Sequence, residues 1–246
     1  MINIVIPMAG LGSRFAKAGY TDPKPLIPVL GVPMIKLVIE NLRPAMPHRF
    51  IFICQAAHVL AYDLKSKLAA WTKDPILIEL DGVTEGAACT VLAAKQYINN
   101  DEALMIANSD QYIDADINEY LHHMDAEKLD GLIMTMKAHD AKWSFVGLSE
   151  NNLVTRVVEK QVISDEATVG IYNFRHGKDF VAAAENMIAR NERVNKEFYV
   201  APAYNAFIQN NARIGIYNIG SEANGMYGLG TPGDLDLFLN MIEENA

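Results

Sequence analysis

Two runs near the amino terminus hold the residue types that bind phosphate: Pro7-Met8-Ala9-Gly10-Leu11-Gly12-Ser13-Arg14-Phe15, then Asp22-Pro23-Lys24-Pro25-Leu26-Ile27-Pro28-Val29. Gly10 and Gly12 let the backbone come close to a ligand and aim N–H groups at it, which favours an anion. Arg14 adds a forked cation that matches phosphate oxygens. Lys24 adds a compact point charge, on a segment stiffened by Pro23, Pro25 and Pro28. A surface turn with two solvated cations would account for Gly-x-Gly alone. The four residues together, at one strand end, point to a polyphosphate site. Two other phosphate loops fail on spacing. The P-loop needs Gly-Lys-Ser/Thr, and here Ser13-Arg14 follows Gly12; the dinucleotide fingerprint needs a third glycine or alanine where Phe15 stands.

Further candidates lie downstream. Asp110, in Ala107-Asn108-Ser109-Asp110-Gln111, follows an apolar strand and so reaches the same sheet edge as Gly10 and Gly12. A carboxylate facing bound phosphates is repelled unless a cation lies between them, and Mg²⁺ is the usual bridge. Aspartate after a strand also caps turns, and position alone leaves the two readings level. Asp114 and Asp116 belong to the solvated start of the helix containing Ile117 and Leu121. Thr84-Glu85-Gly86-Ala87-Ala88 opens a helix, where Gly86 and Ala87 would let a flat ring lie against backbone; close helix packing explains the same residues nearly as well. Gln55, just past a strand, is a candidate for reading a base edge. Val157-Val158-Glu159-Lys160 ends an apolar strand in two charges, which a solvated sheet edge would also explain. The six histidines show no metal or nucleophile spacing, and no Ser/His/Asp arrangement stands out.

Gly10 to Phe15, then Pro23-Lys24-Pro25-Leu26-Ile27-Pro28-Val29 and Gly31-Val32-Pro33-Met34-Ile35, resembles the opening signature of the nucleotidylyltransferases that activate sugar phosphates, the NDP-sugar pyrophosphorylases. The resemblance implies a glycine loop (Met8, Ala9, Gly10, Leu11, Gly12, Ser13) around a nucleoside triphosphate, with Arg14 and Lys24 on the phosphates that leave. It implies Asp110 as a metal aspartate for Mg²⁺ and the segment with Gly86 and Ala87 as the base-contacting loop. On the acceptor side, Lys160 would bind the phosphate of the phosphorylated substrate and Glu159 its hydroxyls, with Gly170 and Tyr172 on a substrate-lining strand. The chain departs from the family pattern twice. Gln161 stands where proline is common, and Gly228 stands where a second metal aspartate is expected before Gly230-Thr231-Pro232-Gly233-Asp234. Glu222 and Asp234 are the nearest acids in sequence; Asp234 is explained as the capping-box residue of a last helix opened by Thr231 and Pro232, which leaves Glu222 as the helper ligand.

These residues need a frame that brings strand ends together. At 246 residues, half of them hydrophobic, the chain can bury the core of one large α/β domain. Apolar runs at 2–6, 50–54, 76–78 and 103–107 read as buried strands, alternating with helices at 33–42, 59–71 and 87–98. That alternation predicts a doubly wound, mostly parallel, Rossmann-like sheet with helices on both faces. Short strands at 131–136, 145–148, 153–158 and 168–174, a turn at 150–152, helices at 180–188 and 199–208, and a strand at 213–217 make a small β-rich part. A single domain is expected, with a nucleotide-binding half over about 1–112 and a substrate-binding half over about 113–246.

A formal net charge of −9 argues against nucleic acid or an anionic membrane as partner. No apolar run approaches the ~18 residues of a membrane span, and the chain opens on a strand rather than a signal segment, so a cytoplasmic protein is expected. Cys54 and Cys89 fit reduced thiols. A homo-oligomer is compatible with all of this. The expected activity is transfer of a nucleotidyl group from a nucleoside triphosphate to a sugar phosphate or similar phosphorylated metabolite, with release of pyrophosphate; short relatives of this type often serve surface polysaccharide. The rivals are a metal-dependent glycosyltransferase of related architecture and a non-catalytic nucleotide sensor. The first would want Asp-x-Asp where Asp110-Gln111-Tyr112 stands.

Overall fold

The computed structural model describes residues 1–244. Its strands are β1 (Ile2–Pro7), β2 (Pro28–Val29), β3 (Val32–Pro33), β4 (His48–Gln55), β5 (Ile76–Leu80), β6 (Ala103–Ala107), β7 (Gln111–Ile113), β8 (Gly131–Lys137), β9 (Ser144–Leu148), β10 (Val154–Glu159), β11 (Glu166–Phe174), β12 (Ile214–Glu222) and β13 (Gly225–Gly228). The helices are α1 (Ser13–Lys17), α2 (Met34–Asn41), α3 (Ala56–Tyr62), α4 (Leu64–Trp71), α5 (Ala87–Leu92), α6 (Lys95–Ile98), α7 (Ile117–Ala126), α8 (Gly177–Ala189), α9 (Tyr204–Gln209) and α10 (Pro232–Glu244).

One sheet runs in the order β5-β4-β1-β6-β11-β8-β12-β13-β7, and the β9–β10 hairpin joins it through β11. The β5, β4, β1 and β6 strands are parallel, as the alternation of strand and helix predicts. The second half is mixed: β11 runs antiparallel to both β6 and β8, while β12 is parallel to β8. The sheet is continuous past residue 112, because β7 crosses that position and pairs with β13.

Alternation along β1 shows how the two layers form. Ile4 and Ile6 face a core with Ile35, Val38 and Leu68, while Val5 faces the other side with Val91, Phe180 and Tyr204. Helices α2, α3, α4 and α7 thus cover one face, and α5, α6, α8 and α9 the other. A third cluster joins Phe15, Ile27 and Met34 to Leu229, Leu235 and Phe238. It fastens α10 beneath the first loop, and Leu235 and Phe238 each contribute about 1.5–3 kcal/mol by burial.

Two expected helices are broken. The 59–71 helix divides at Asp63, which adopts left-handed backbone with φ 47. The 87–98 helix divides into α5 and α6 around Ala93 and Ala94. The 199–208 helix begins later, as a 3₁₀ turn at Ala201–Ala203 leading into α9. Cys54 is buried and Cys89 half-buried, and both are free. No helix among the described residues is long and apolar enough to cross a membrane.

Candidate active site

The loops after β1 and β6 leave the same edge of the sheet because the two strands are parallel neighbours. The chain leaves β1 toward α2 on one face and enters β6 from α6 on the other, which makes the crevice between them a switch point of the kind where α/β sheets bind ligands. Three adjoining cavities line this edge, of about 530, 430 and 410 Å³. Arg14 and Asn108 line all three, so together they form one cleft.

The first cavity is walled by Ala9, Gly10, Leu11, Lys24, Gly86 and Asp110. A side chain at Gly10 would meet open space, which leaves its backbone accessible to a ligand. Gly12 has φ 60 and starts α1 through its carbonyl, which accepts from Phe15 and Ala16. A Cβ there would stand 3.2 Å from the Cβ of Lys24, so Gly12 packs on the lysine-bearing segment rather than lining the cavity. Met8 is buried in the core and Ser13 faces solvent. Arg14 is exposed, and its guanidinium has no partner among the described residues. Lys24 Nζ donates to Asp110 Oδ2 at 2.7 Å, with both side chains 23% exposed.

Two expectations for the nucleotide side change in detail. The Gln55 Nε2 donates to the Ala9 carbonyl, bracing the loop, and Gln55 lines none of the three cavities. Gly86, at φ 131, would drive a Cβ to 2.5 Å from the backbone N and O of Phe198. Glu85 and Ala88 exchange backbone hydrogen bonds with Phe198 at 2.8 and 3.0 Å, so this loop is stitched to the 194–200 segment. Close packing therefore sets the glycine, although Gly86 and Ala87 also line the cleft.

In the second cavity Glu159 is buried, and burial pushes its carboxyl above the usual range, against the lowering effect of the Ser144 hydroxyl that donates to it. Lys160 has left-handed backbone (φ 54) and donates to the Tyr199 hydroxyl at 2.7 Å, a bond that raises the ammonium's pKa. The Tyr172 hydroxyl pairs with Thr168, and burial raises its pKa strongly. Gly170 (φ 82) lies in the bulge of β11; a Cβ there would fall 2.1 Å from Asn108 Nδ2 and 2.8 Å from Gln111 Oε1. The absence of a side chain at 170 therefore seats Asn108.

The third cavity holds Asp110, Gln111, Lys142, Gly228, Gly230 and Asp234. The expected helper Glu222 is absent from it. That carboxylate ends β12 and accepts from Lys142 Nζ at 2.7 Å. Closeness in sequence to residue 228 does not carry over, because a turn through Ala223 (φ 61) separates the two strands. Asp234 lines the cavity with Asp110 in its place.

Sequence reasoning missed Asn108, Lys142, Trp143, Glu197 and Tyr199 in the cleft. Asn108 had a signal, standing two residues before Asp110 at a strand end. The others arrive on irregular loops whose path only the tertiary fold sets. A larger cavity of about 780 Å³, around Lys137, Asp165 and Arg213, shares no lining residue with the cleft.

A family model described as "Nucleotidyl transferase" matches residues 4–204. Bifunctional protein GlmU of Methanococcus maripaludis (strain C7) is 26% identical over 252 residues, covering 98% of this chain and 55% of that protein. GlmU of Methanocaldococcus jannaschii is 24% identical over 177 residues, covering 70% and 40%. The chain thus spans about half the length of the curated relatives it matches. Among solved structures, a nucleoside-diphosphate-sugar pyrophosphorylase from Vibrio cholerae RC9 is 27% identical, with TM-score 0.81 over 96% of this chain and 99% of that one. A UDP-glucose pyrophosphorylase complexed with UDP-glucose, 16% identical, shares the fold with TM-score 0.79 over the full length of both chains.

Proposed function

Since the chain belongs to the nucleotidyl transferase family, we propose that it transfers a nucleotidyl group from a nucleoside triphosphate to a sugar phosphate or similar phosphorylated metabolite. The observation that carries this reading is the shared position of Arg14 and Asn108. They stand where the cavity of Gly10, Lys24 and Asp110 meets the cavity of Glu159 and Lys160. One cleft thus offers cations to two separate phosphate groups, in a chain whose net charge is −9.

The nucleophile is a phosphate oxygen of the acceptor. A phosphomonoester has a second pKa of ~6, so this oxygen is ionised near neutral pH and no general base is required. It bonds to the α-phosphorus as the α–β bridging bond breaks, and the electron pair leaves on pyrophosphate. The work of the protein is then positioning and charge stabilisation. Lys160 holds the acceptor phosphate, with Tyr199 fixing the ammonium; Glu159 accepts from acceptor hydroxyls, and Gly170 and Tyr172 shape the wall. Backbone N–H groups near Gly10, with Arg14 and Lys24, neutralise the departing pyrophosphate. Asn108 is a further donor at the junction.

Asp110 fits a divalent cation such as Mg²⁺, because a carboxylate is its preferred donor and an ammonium already stands against Oδ2 at 2.7 Å. When bound, such an ion would supply positive charge that offsets the phosphate charge, with Asp110 as the residue that would hold it. A triphosphate substrate also suits the cytoplasmic location expected from the sequence, and a nucleotide-sugar product suits supply of surface polysaccharide.

The test is pyrophosphate release from a panel of four nucleoside triphosphates against sugar phosphates and phosphocholine. Release with at least one pair is expected. Triphosphate binding without release from any pair would leave a nucleotide sensor, and sugar transfer from a nucleotide sugar would leave a glycosyltransferase.

A further inference from the structure

The carboxylate that is missing at Gly228 has a counterpart a few residues on. Built on the Gly228 backbone, a Cβ would lie 3.6 Å from both Cβ and Cγ of Asp234 and 3.8 Å from Oδ2. A carboxylate reaching out from position 228 would therefore enter the space that Asp234 already holds. Asp234 lines the same 410 Å³ cavity as Asp110. Gly230 keeps the Asp110 side open, since a Cβ there would stand 2.7 Å from Asp110 Oδ2.

The capping box expected at this helix is only half made. Thr231 Oγ1 accepts from the Asp234 backbone N–H at 3.1 Å, but the Asp234 carboxylate has no partner among the described residues. Of the two exposed cations that line this cavity, Lys142 is engaged by Glu222, and Arg14 makes no ion pair with Asp234. An independent mark of a ligand is Gln111. It is 5% exposed and lines this cavity, yet its Nε2 has no hydrogen-bond acceptor among the described residues. A buried amide donor left unpaired is costly, so an acceptor oxygen supplied by a ligand is the natural partner.

We propose that Asp234, on the first turn of α10, supplies the second carboxylate of the divalent-cation site, in the space a side chain at 228 would occupy. The inference rests on the nucleotidyl-transfer reading above. Two carboxylates and phosphate oxygens make a hard oxygen donor set suited to Mg²⁺ or Mn²⁺, and Gln111 Nε2 donates to one of those phosphate oxygens. Without a cation, both carboxylates would repel the triphosphate.

The test titrates Mn²⁺ into the whole chain up to the millimolar range and reads free ion by electron paramagnetic resonance, with thermal unfolding as a check on the fold. Asp234→Asn is isosteric and keeps the backbone bond to Thr231. It is expected to weaken Mn²⁺ binding at least about tenfold, the smaller end of what even outer-shell partners cost. Adding Gly228→Asp to Asp234→Asn should restore most of the loss. Unchanged Mn²⁺ affinity in Asp234→Asn, with Asp110→Asn impaired, overturns this inference alone and leaves Asp234 a charge at a helix start. Retained affinity in both single variants overturns the cation reading itself. A double variant that stays weak overturns the shared space.

Discussion

Replacing Gly86 with alanine separates two accounts of the base loop. Its backbone (φ 131, ψ 172) lies in a region essentially reserved for glycine, which costs a side chain about 1–3 kcal/mol. The added Cβ would meet the N, O and C of Phe198 at 2.5, 2.5 and 2.9 Å. Backbone cannot rotate away as a side chain can. Relief requires the loop and the 194–200 segment to separate, with loss of the Phe198-to-Glu85 and Ala88-to-Phe198 hydrogen bonds, each worth roughly 0.5–1.5 kcal/mol. Together these give roughly 2–6 kcal/mol, a fall in Tm on the order of 10 °C for a chain of this size. The functional loss should reach both substrates. Glu197 lines the nucleotide and acceptor cavities alike, and Tyr199 holds Lys160, so moving Phe198 moves groups on either side. The assay is thermal unfolding together with separate KM values for triphosphate and acceptor. Gly10→Ala is the control: nothing lies within 4 Å of its added Cβ, so Tm should hold while triphosphate affinity falls. A Gly86→Ala chain with unchanged Tm and a raised KM for triphosphate alone would refute the stitch and restore a role limited to the base.

Lys24→Ala should lower kcat by about 10²–10³ through lost charge stabilisation, with stability changed by about 1 kcal/mol or less because the pair with Asp110 is partly solvated. Mn²⁺ binding without nucleotide should be at least as tight, since Asp110 is freed; unchanged kcat would make the lysine structural. Lys160→Ala should raise KM for the phosphorylated acceptor, and a titration in which only triphosphate affinity falls would reverse the two halves of the cleft. Glu159 binds its proton more tightly folded than unfolded, so the stability it contributes is present below the ordinary carboxylate pKa and is lost as pH rises through its raised value. Glu159→Gln should therefore be relatively more stabilising at pH 7 than at pH 4 by urea denaturation, and equal effects at the two pH values would remove burial as the cause.

Local grammar made part of this site legible in the sequence. Gly12, Arg14 and Lys24 occur within one strand-end segment, and the parallel runs 2–6 and 103–107 fix Asp110 at the same edge. Glu159 and Lys160 stood out because they end an apolar strand, whereas Gly170 was picked only through the resemblance, and nothing in the 168–174 run announced the bulge that seats Asn108. What could not be read depends on packing at a distance. The β7 and β13 strands, Gln111–Ile113 and Gly225–Gly228, are too short to show a period, yet their pairing carries Gly228 beside Gln111. Tyr199 and Glu197 lie on a segment held by Glu85 and Ala88, with Gly86 packed against it, from more than a hundred residues away. The capping box expected at Asp234 is half made, for another reason. The Thr-x-x-Asp spacing correctly predicted a helix start, but the threonine half of the box suffices for that, and the carboxylate is left over.

The distribution of charge explains how a chain of net charge −9 can gather two phosphorylated substrates. Screening in solution confines its repulsion to about 10 Å at ordinary ionic strength, so only charges within the cleft decide binding. There Arg14, Lys24, Lys142 and Lys160 face Asp110, Glu159, Glu197 and Asp234. The cations are not equally available. Lys24 is held by Asp110, Lys142 by Glu222 and Lys160 by Tyr199, which leaves Arg14 at the junction of the cavities without a partner among the described residues. A triphosphate would draw Lys24 from Asp110, and the exposed carboxylate would then need another positive charge. A divalent cation arriving with the triphosphate meets that need, and it would bind most tightly where Asp234 provides a second oxygen donor. Metal and nucleotide affinity should therefore rise together in the parent chain. In Asp234→Asn that mutual enhancement should shrink, and an undiminished enhancement would mean that Asp110 and the phosphates hold the ion without it.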